Sequence, residues 1–397
     1  MPEGEVYALV HVDVNNFSYV NENFGQQVGD SILQEFGRML LQEEHVVEAC
    51  RMYSDYFIEL VHGKSEEEVY QKVLEENRAF ESLQKMRYPA SDMRLSAGIC
   101  FIRGKNESFD AVLEGANLAR KFAKEHKGNG VVIYREDMRA KREDAFHITG
   151  RFYGALQKGE LEVFLQPKFL LKERTLYGAE ALARWRTESG EIIFPDRFIP
   201  PLENMGYIID LDFYILEQLL RAMRRWRDAG KKLFTVSTNF SRRHFENGGV
   251  EFLQRLQELM TRYQIEPRYI EIEVTEGVVA ENLDGLKQCM SKLEEEGYRI
   301  AIDDFGTGYS SLSMLLEIPA NVIKIDKSFT DHINQKGQRE FVIRMGQFIG
   351  AAKEEVIFEG IEEEEQCEFL LDCGFRYGQG YLFDRPLSLE EFERKYI

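Results

Sequence analysis

The chain has few cysteines, no excess of positive charge and no long apolar run, and each lack closes a class of function. Five cysteines, Cys50, Cys100, Cys289, Cys367 and Cys373, are an odd number without a CxxC pair. They imply neither a disulfide framework nor a zinc site, and buried thiols are the simpler reading. The 397 residues carry a formal charge of −19, whereas nucleic-acid polymers and anionic membranes are bound by basic surface. An anionic substrate would need local help from metal or arginine. No apolar run approaches the ~20 residues of a membrane span, and the first residues do not lead into a secretory signal. The expectation is a cytoplasmic chain that binds neither membrane nor nucleic-acid polymer.

What is present suits globular structure: 44% of residues are hydrophobic and 12% aromatic. The length exceeds what one core usually holds, so two domains are expected. The chain is organised around Arg299 to Leu312, RIAIDDFGTGYSSL. Ile300, Ala301 and Ile302 read as a buried strand that stops at two adjacent carboxylates, Asp303 and Asp304. A glycine-punctuated loop with several hydroxyls follows. Paired carboxylates at a strand end suit hard divalent cations. A solvated Asp-Asp turn is the alternative.

From Leu161 onward strand-like and helix-like stretches alternate. The expected strands are residues 161–165, 177–183, 233–239, 269–275, 299–303, 322–326, 356–359 and a short one near 380–383. Eight strands with interleaved helices over about 240 residues predict a (β/α)8 TIM-like barrel, whose chemistry sits at the C-terminal strand ends. Polar residues interrupt these strands or close them: Glu180, Asn239, Glu273, Glu276, Asp303, Asp304, Lys324, Glu359, Glu362 and Gln379. A buried unpaired charge costs several kcal/mol, so repeated acids there need shared cations or lysine and arginine partners. A local salt bridge accounts for any one of them; seven strand ends together point to a metal-centred site.

These residues carry a resemblance to the EAL domain, the cyclic di-GMP phosphodiesterase family. The signature is Glu180-Ala181-Leu182. It continues through Gln166-Pro167, Arg184-Trp185, Asn239-Phe240-Ser241, Glu273-Val274-Thr275-Glu276, Asp303-Asp304-Phe305-Gly306, Lys324-Ile325-Asp326, Glu359-Gly360-Ile361-Glu362 and Gln379-Gly380-Tyr381. The resemblance implies a divalent-metal enzyme that opens one phosphodiester of cyclic di-GMP to give linear pGpG. By the same carry-over Glu180, Asn239, Glu273 and Asp303 would hold one ion, and Asp303, Asp304 and Glu359 a second. All-oxygen ligands favour Mg²⁺ or Mn²⁺. Lys324, Glu359 and Asp304 would serve the reaction, with Lys324 orienting a water or relaying its proton. Gln166, Leu182, Arg184, Gln379 and Glu362 would bind or position the substrate. Glu276 would anchor the loop Phe305–Ser311, which in this family links metal binding to dimerisation, and a homodimer is expected. Arg376 stands where the family has an aspartate, which puts turnover in question. A non-hydrolytic cyclic di-GMP receptor or an interaction scaffold is the alternative.

The first part of the chain resembles the nucleotide-cyclising GGDEF domain, a smaller α+β fold of the nucleotidyl cyclase palm type. The strand Val6 to Val14 ends near Asp13, an amphipathic helix carries Ile32, Leu33, Phe36 and Leu40, and Ala116 to Lys124 reads as a further helix. The signature hairpin is broken: Tyr53-Ser54-Asp55-Tyr56-Phe57 replaces Gly-Gly-Asp/Glu-Glu-Phe. Two β-carbons block the tight turn, and Tyr56 replaces an acid that cyclisation would need. Asp13 and Asp55 match the family's metal-binding carboxylates, a vestigial site at which GTP binding is one expectation and a purely structural or dimerising domain the other. No cyclase activity is expected. The helix that usually precedes the first strand is missing, which is read as a shortened N-terminus. The expected organisation is a degenerate GGDEF-like domain over 1–137, a helical connector over 138–157 with Phe146, Phe152 and Leu156 as apolar contacts, and the EAL barrel over 158–397.

Overall fold

A computed structural model describes residues 4–89, 91, 93–104, 107–125, 130–276, 283–306, 318–331, 333, 339–352 and 355–397. It divides into two compact units, Met1–Asp144 and Ala145–Ile397. No described helix is long and apolar enough to cross a membrane.

In the first unit the elements run β1 (Val6–Asn15), α1 (Phe17–Phe24), α2 (Gln26–Leu40), β2 (Val46–Tyr53), β3 (Tyr56–Gly63), α3 (Glu66–Arg87), β4 (Arg94–Phe101), α4 (Phe109–Glu125) and β5 (Val131–Ile133). The sheet order is β2-β3-β1-β4-β5, with β5 parallel to β4 and the other pairs antiparallel. Central β1 is apolar on both faces because both are covered. Ala8, Val10, Val12 and Val14 meet Leu33, Phe36, Val73 and Phe80, whereas Leu9 joins Ile58, Val112 and Ala116 on the other side. Gly98 lets α4 press onto β4, since a β-carbon there would lie 2.1 Å from the Ala116 carbonyl oxygen. In the broken hairpin, Ser54 takes a left-handed φ of 52°. The chain thus makes a turn there at a conformational cost that glycine would not incur.

Helix α5 (Glu136–Lys158) precedes the barrel. Of its expected contacts Phe152 is fully buried and Leu156 packs on the second unit's core, but Phe146 is exposed. The second unit continues with β6 (Leu161–Leu170), β7 (Thr175–Arg186), β8 (Ile192–Ile193), α6 (Pro195–Met205), α7 (Ile208–Asp228), β9 (Thr235–Asn239), α8 (Val250–Tyr263), β10 (Ile270–Thr275), α9 (Leu283–Glu295), β11 (Arg299–Phe305), β12 (Val322–Ile325), α10 (Lys327–Asp331), α11 (Arg339–Ala352), β13 (Glu355–Phe358), α12 (Glu364–Asp372), β14 (Tyr377–Gln379), β15 (Leu387–Ser388) and α13 (Leu389–Tyr396).

Strands β7, β9, β10, β11, β12, β13 and β14 lie side by side, and β6 pairs with both β7 and β14 to close an eight-stranded barrel. Two features depart from the expectation. The last barrel strand is Tyr377–Gln379, so residues 380–383 follow it. Strand β6 is antiparallel to both neighbours. The cause is the short link to β7: four residues, 171–174, join them, and a parallel pair needs a crossover of about a dozen.

Alternation sorts the side chains. Ile270, Ile272, Val274, Ile300, Ile302, Ile323 and Ile325 face the surrounding helices. Ala301, Val322 and Ile357 form a small separate cluster with Tyr377. The opposite parity of each strand also carries the polar residues, which therefore gather in the barrel interior.

Candidate metal centre at the strand ends

The expected residues do converge. A ligand atom from each of Glu180, Glu273 and Asp303 lies within 4.8 Å of the others, and the same holds for Asp303, Asp304 and Glu359. Register explains the first group. Glu180 and Gln166 are opposite across β7 and β6, Glu273 is level with Asn239, and Asp303 is level with Thr275. Two consecutive residues of one strand can join the site because the β11–β12 register shifts between Ile302 and Phe305. Such a bulge re-aims side chains. Asp304 adopts φ 54°, and its backbone N–H donates to Asp303 Oδ1 at 2.9 Å.

Lys324 stands at the middle of the cluster, fully buried. Its ammonium lies 2.9 Å from Glu359 Oε1, 3.0 Å from Asp303 Oδ1, 3.1 Å from Glu180 Oε2 and 3.3 Å from Glu273 Oε2. Glu180 also accepts from Gln379 Nε2 at 2.7 Å and from Asn239 Nδ2 at 3.0 Å. Burial would push the Glu180 carboxyl up, but Lys324, Lys168 and Gln379 outweigh it and hold it at about 2. Glu273 goes the other way: burial, and then the Glu180 charge, push it to about 7. Asp304 is raised to about 6 by burial and by Asp303, and burial places Glu359 well above the usual carboxylate range. Lys324 remains charged, since its carboxylates outweigh the burial that would lower it.

This donor set fits hard divalent cations. All the side chains offer oxygen. Among the described residues, Lys324 is shared among four carboxylates of which only Glu273 has a second lysine partner, and Glu273 Oε2 is buried without a hydrogen-bond partner.

Other expected residues lie elsewhere. Glu362 is outside the buried group and pairs with Lys327 at 2.6 Å in a half-exposed position. Arg184 donates to its neighbour's carbonyl, Ala183 O, at 2.8 Å and lies over the Phe164 ring. Leu182 is opposite Phe164 on the same hairpin. Glu276 Oε2 accepts from the Gly306 backbone N–H at 2.6 Å, and the remainder of the loop it was expected to anchor, 307–311, lies outside the described residues. Arg376 immediately precedes β14, at the opposite end of that strand from Gln379, and its guanidinium lies over the Tyr377 ring.

One residue escaped the sequence reading. Lys168, buried on β6, donates to Ser237 Oγ at 2.7 Å, Glu271 Oε1 at 2.9 Å and Glu273 Oε1 at 3.0 Å. The signal was alternation: Lys168 is two residues from Gln166, Ser237 two from Asn239, and Glu271 two from Glu273.

The sequence model of the EAL domain matches residues 150–386. The chain belongs to the EAL domain family. The model described as diguanylate cyclase, GGDEF domain, matches residues 2–130. Among curated proteins, the bifunctional diguanylate cyclase/cyclic di-GMP phosphodiesterase MucR of Pseudomonas aeruginosa is 28% identical over 97% of this chain and 56% of its own length. The cyclic di-GMP phosphodiesterase NbdA of the same organism is 30% identical over 99% of this chain and 51% of its own. The chain thus spans about half the length of these relatives. A solved structure described as PaMucR phosphodiesterase in complex with c-di-GMP superposes with a TM-score of 0.57 at 30% identity, over 62% of this chain and 99% of the other.

In the first unit, this EAL protein keeps Asp13 but commits it. Its Oδ2 accepts from Arg120 Nη1 and Lys124 Nζ, both at 2.7 Å, and Arg120 also donates to His11 Nδ1 and lies over Tyr56. Asp55 sits in the turn between β2 and β3. Neither is in a metal-ligating group of three among the described residues.

Proposed function

We propose that the second unit is a metal-dependent phosphodiesterase that hydrolyses cyclic di-GMP to linear pGpG, and that the first is inactive as a cyclase. The observation that carries this reading is the buried carboxylate cluster around Lys324 at the strand ends of an EAL barrel. Mg²⁺ or Mn²⁺, one held by Glu180, Asn239, Glu273 and Asp303 and a second by Asp303, Asp304 and Glu359, would acidify a water and offset phosphate charge.

The chain's own residues supply the rest. Lys324, a charged ammonium between Glu359 and Glu180, orients the attacking water by donating a hydrogen bond to its oxygen. Gln379 and Asn239 hold Glu180 from two sides. Arg184 is the planar donor for a phosphate oxygen; Leu182 is two residues before it on β7, and Gln166, opposite Glu180, lies one same-face pair farther along the hairpin, where both contact the substrate. Glu362, tied to Lys327, positions the loop after β13. The protein acts as a homodimer in the cytoplasm. GTP at the first unit would meet an Asp13 carboxylate whose Oδ2 is held by Arg120 and Lys124, leaving Oδ1, which has no hydrogen-bond partner among the described residues, to face a metal.

The test is incubation of the purified protein with cyclic di-GMP in Mg²⁺, in Mn²⁺ and with chelator, with products separated by chromatography. Metal-dependent pGpG is expected. Measurable binding with no product in either metal would replace this reading with that of a receptor.

A further inference from the structure

Beneath the carboxylate cluster the barrel interior is not the apolar plug usual in such folds. It holds a chain of ion pairs. Lys168 bridges Glu273 and Glu271. Glu271 Oε2 lies 3.3 Å from Arg299 Nε, Arg299 Nη2 lies 2.8 Å from Glu355 Oε1, and Glu355 accepts from the Tyr177 hydroxyl. Arg299 and Glu355 open their strands, β11 and β13, so the chain runs from the far end of the barrel up to the cluster. Lys168, Glu271 and Glu273 are all buried.

The division of labour on Glu273 is specific. Lys168 takes Oε1 at 3.0 Å, while Oε2 faces Lys324 at 3.3 Å with no hydrogen bond among the described residues. A carboxylate gripped by one oxygen presents the other in a set direction. Lys168 in turn is fixed by Ser237 and Glu271. Gly178, opposite Lys168 on β7, has no room for a side chain: a β-carbon would meet the Thr235 carbonyl oxygen at 2.7 Å.

We propose that Lys168 is a positioning residue that presents Glu273 to a divalent cation, with the Glu271–Arg299–Glu355 chain as its rigid support. This rests on the reading of the cluster as a metal centre. Partners that orient a ligand in this way typically change metal affinity about 10- to 100-fold. Substrate contact is not involved, so the effect belongs to the metal rather than to cyclic di-GMP.

The experiment measures Mn²⁺ binding directly, by loss of the free-ion paramagnetic resonance signal, for the wild type, Lys168→Met and the double variant Lys168→Met/Glu271→Met. The double variant removes the lower ion pair as a unit, which buried pairs tolerate far better than the loss of one partner, so it serves where Lys168→Met fails to fold. Both variants should bind Mn²⁺ about 10- to 100-fold more weakly. In assays of hydrolysis the loss should appear in the Mn²⁺ concentration for half-maximal rate, with KM for cyclic di-GMP little changed. Wild-type affinity in the folded double variant overturns the proposal while leaving the metal centre intact. A wild type that takes up no Mn²⁺ overturns both.

Discussion

Two buried carboxylate sites, one in each unit, have opposite charge balance. In the first, a single aspartate, Asp13, meets two cations, Arg120 and Lys124. In the second, one ammonium, Lys324, is shared among Glu180, Glu273, Asp303 and Glu359, and of these only Glu273 pairs with a second, Lys168, among the described residues. Burial makes unbalanced charge expensive. The Asp13 charge is already balanced by cations on Oδ2, although Oδ1 is buried without a hydrogen-bond partner among the described residues, whereas the barrel site has more carboxylates than ammonium groups. A strand-end aspartate is therefore not evidence of a metal centre until its partners are counted.

The strongest way to break this comparison is Asp303→Asn, which removes a carboxylate assigned to both ions. Ions of this kind contribute several kcal/mol to phosphoryl-group chemistry, and each ~1.4 kcal/mol is tenfold in rate. Hydrolysis of cyclic di-GMP should fall at least about 100-fold with the circular dichroism spectrum unchanged; near wild-type turnover would remove Asp303 from the metal assignment. Lys324→Met is next, because four carboxylates lose their common cation. Unfolding in chelator should show a loss of about 3–5 kcal/mol, and Mn²⁺ should restore more stability to this variant than to the wild type. An equal response to Mn²⁺ would mean that the ammonium and the metal do not share the same carboxylates.

Asp13→Asn tests the other arm. It leaves buried Arg120 without its carboxylate, and a loss of about 3 kcal/mol is expected. Lys124→Met, at a half-exposed partner, should cost under about 1 kcal/mol. If Mg²⁺ stabilised the wild-type first unit and Asp13→Asn abolished that, the contrast between the sites would fail.

The same arm also carries a pH dependence. Burial, followed by the charges of Arg120 and Lys121, lowers His11 to about 4, and its Nδ1 accepts from Arg120. Between an unfolded value near 6.5 and about 4 the unfolded chain binds the extra proton. Stability should decline as pH falls through that window, by about 1–3 kcal/mol after allowance for solvent screening. The His11→Phe variant should show a correspondingly flatter decline in urea midpoints.

Much of this was legible from residue patterns alone. Two domains, the alternating strands and the acids at their ends followed from periodicity and composition, because interior-facing positions recur every second residue whatever the strand's neighbours. The motif around Glu180 and Asp303 identified the family, and both residues lie in the cluster. The antiparallel β6 was also legible in principle, from a four-residue link too short for a crossover. Lys168 was not singled out because a lone lysine in a strand usually reaches solvent.

The sequence by itself therefore determined which side chains face the barrel interior and that their carboxylates outnumber local cations along each strand. Only the tertiary structure decided who neutralises whom. Lys324 reaches four acids, Lys168 holds one oxygen of Glu273, Glu362 turns outward to Lys327, and Asp13 is claimed by Arg120 across 107 residues of sequence. The reason is physical: burial and strand parity are local properties, but electrostatic pairing depends on distances of about 3 Å between segments that only the closed sheet brings together.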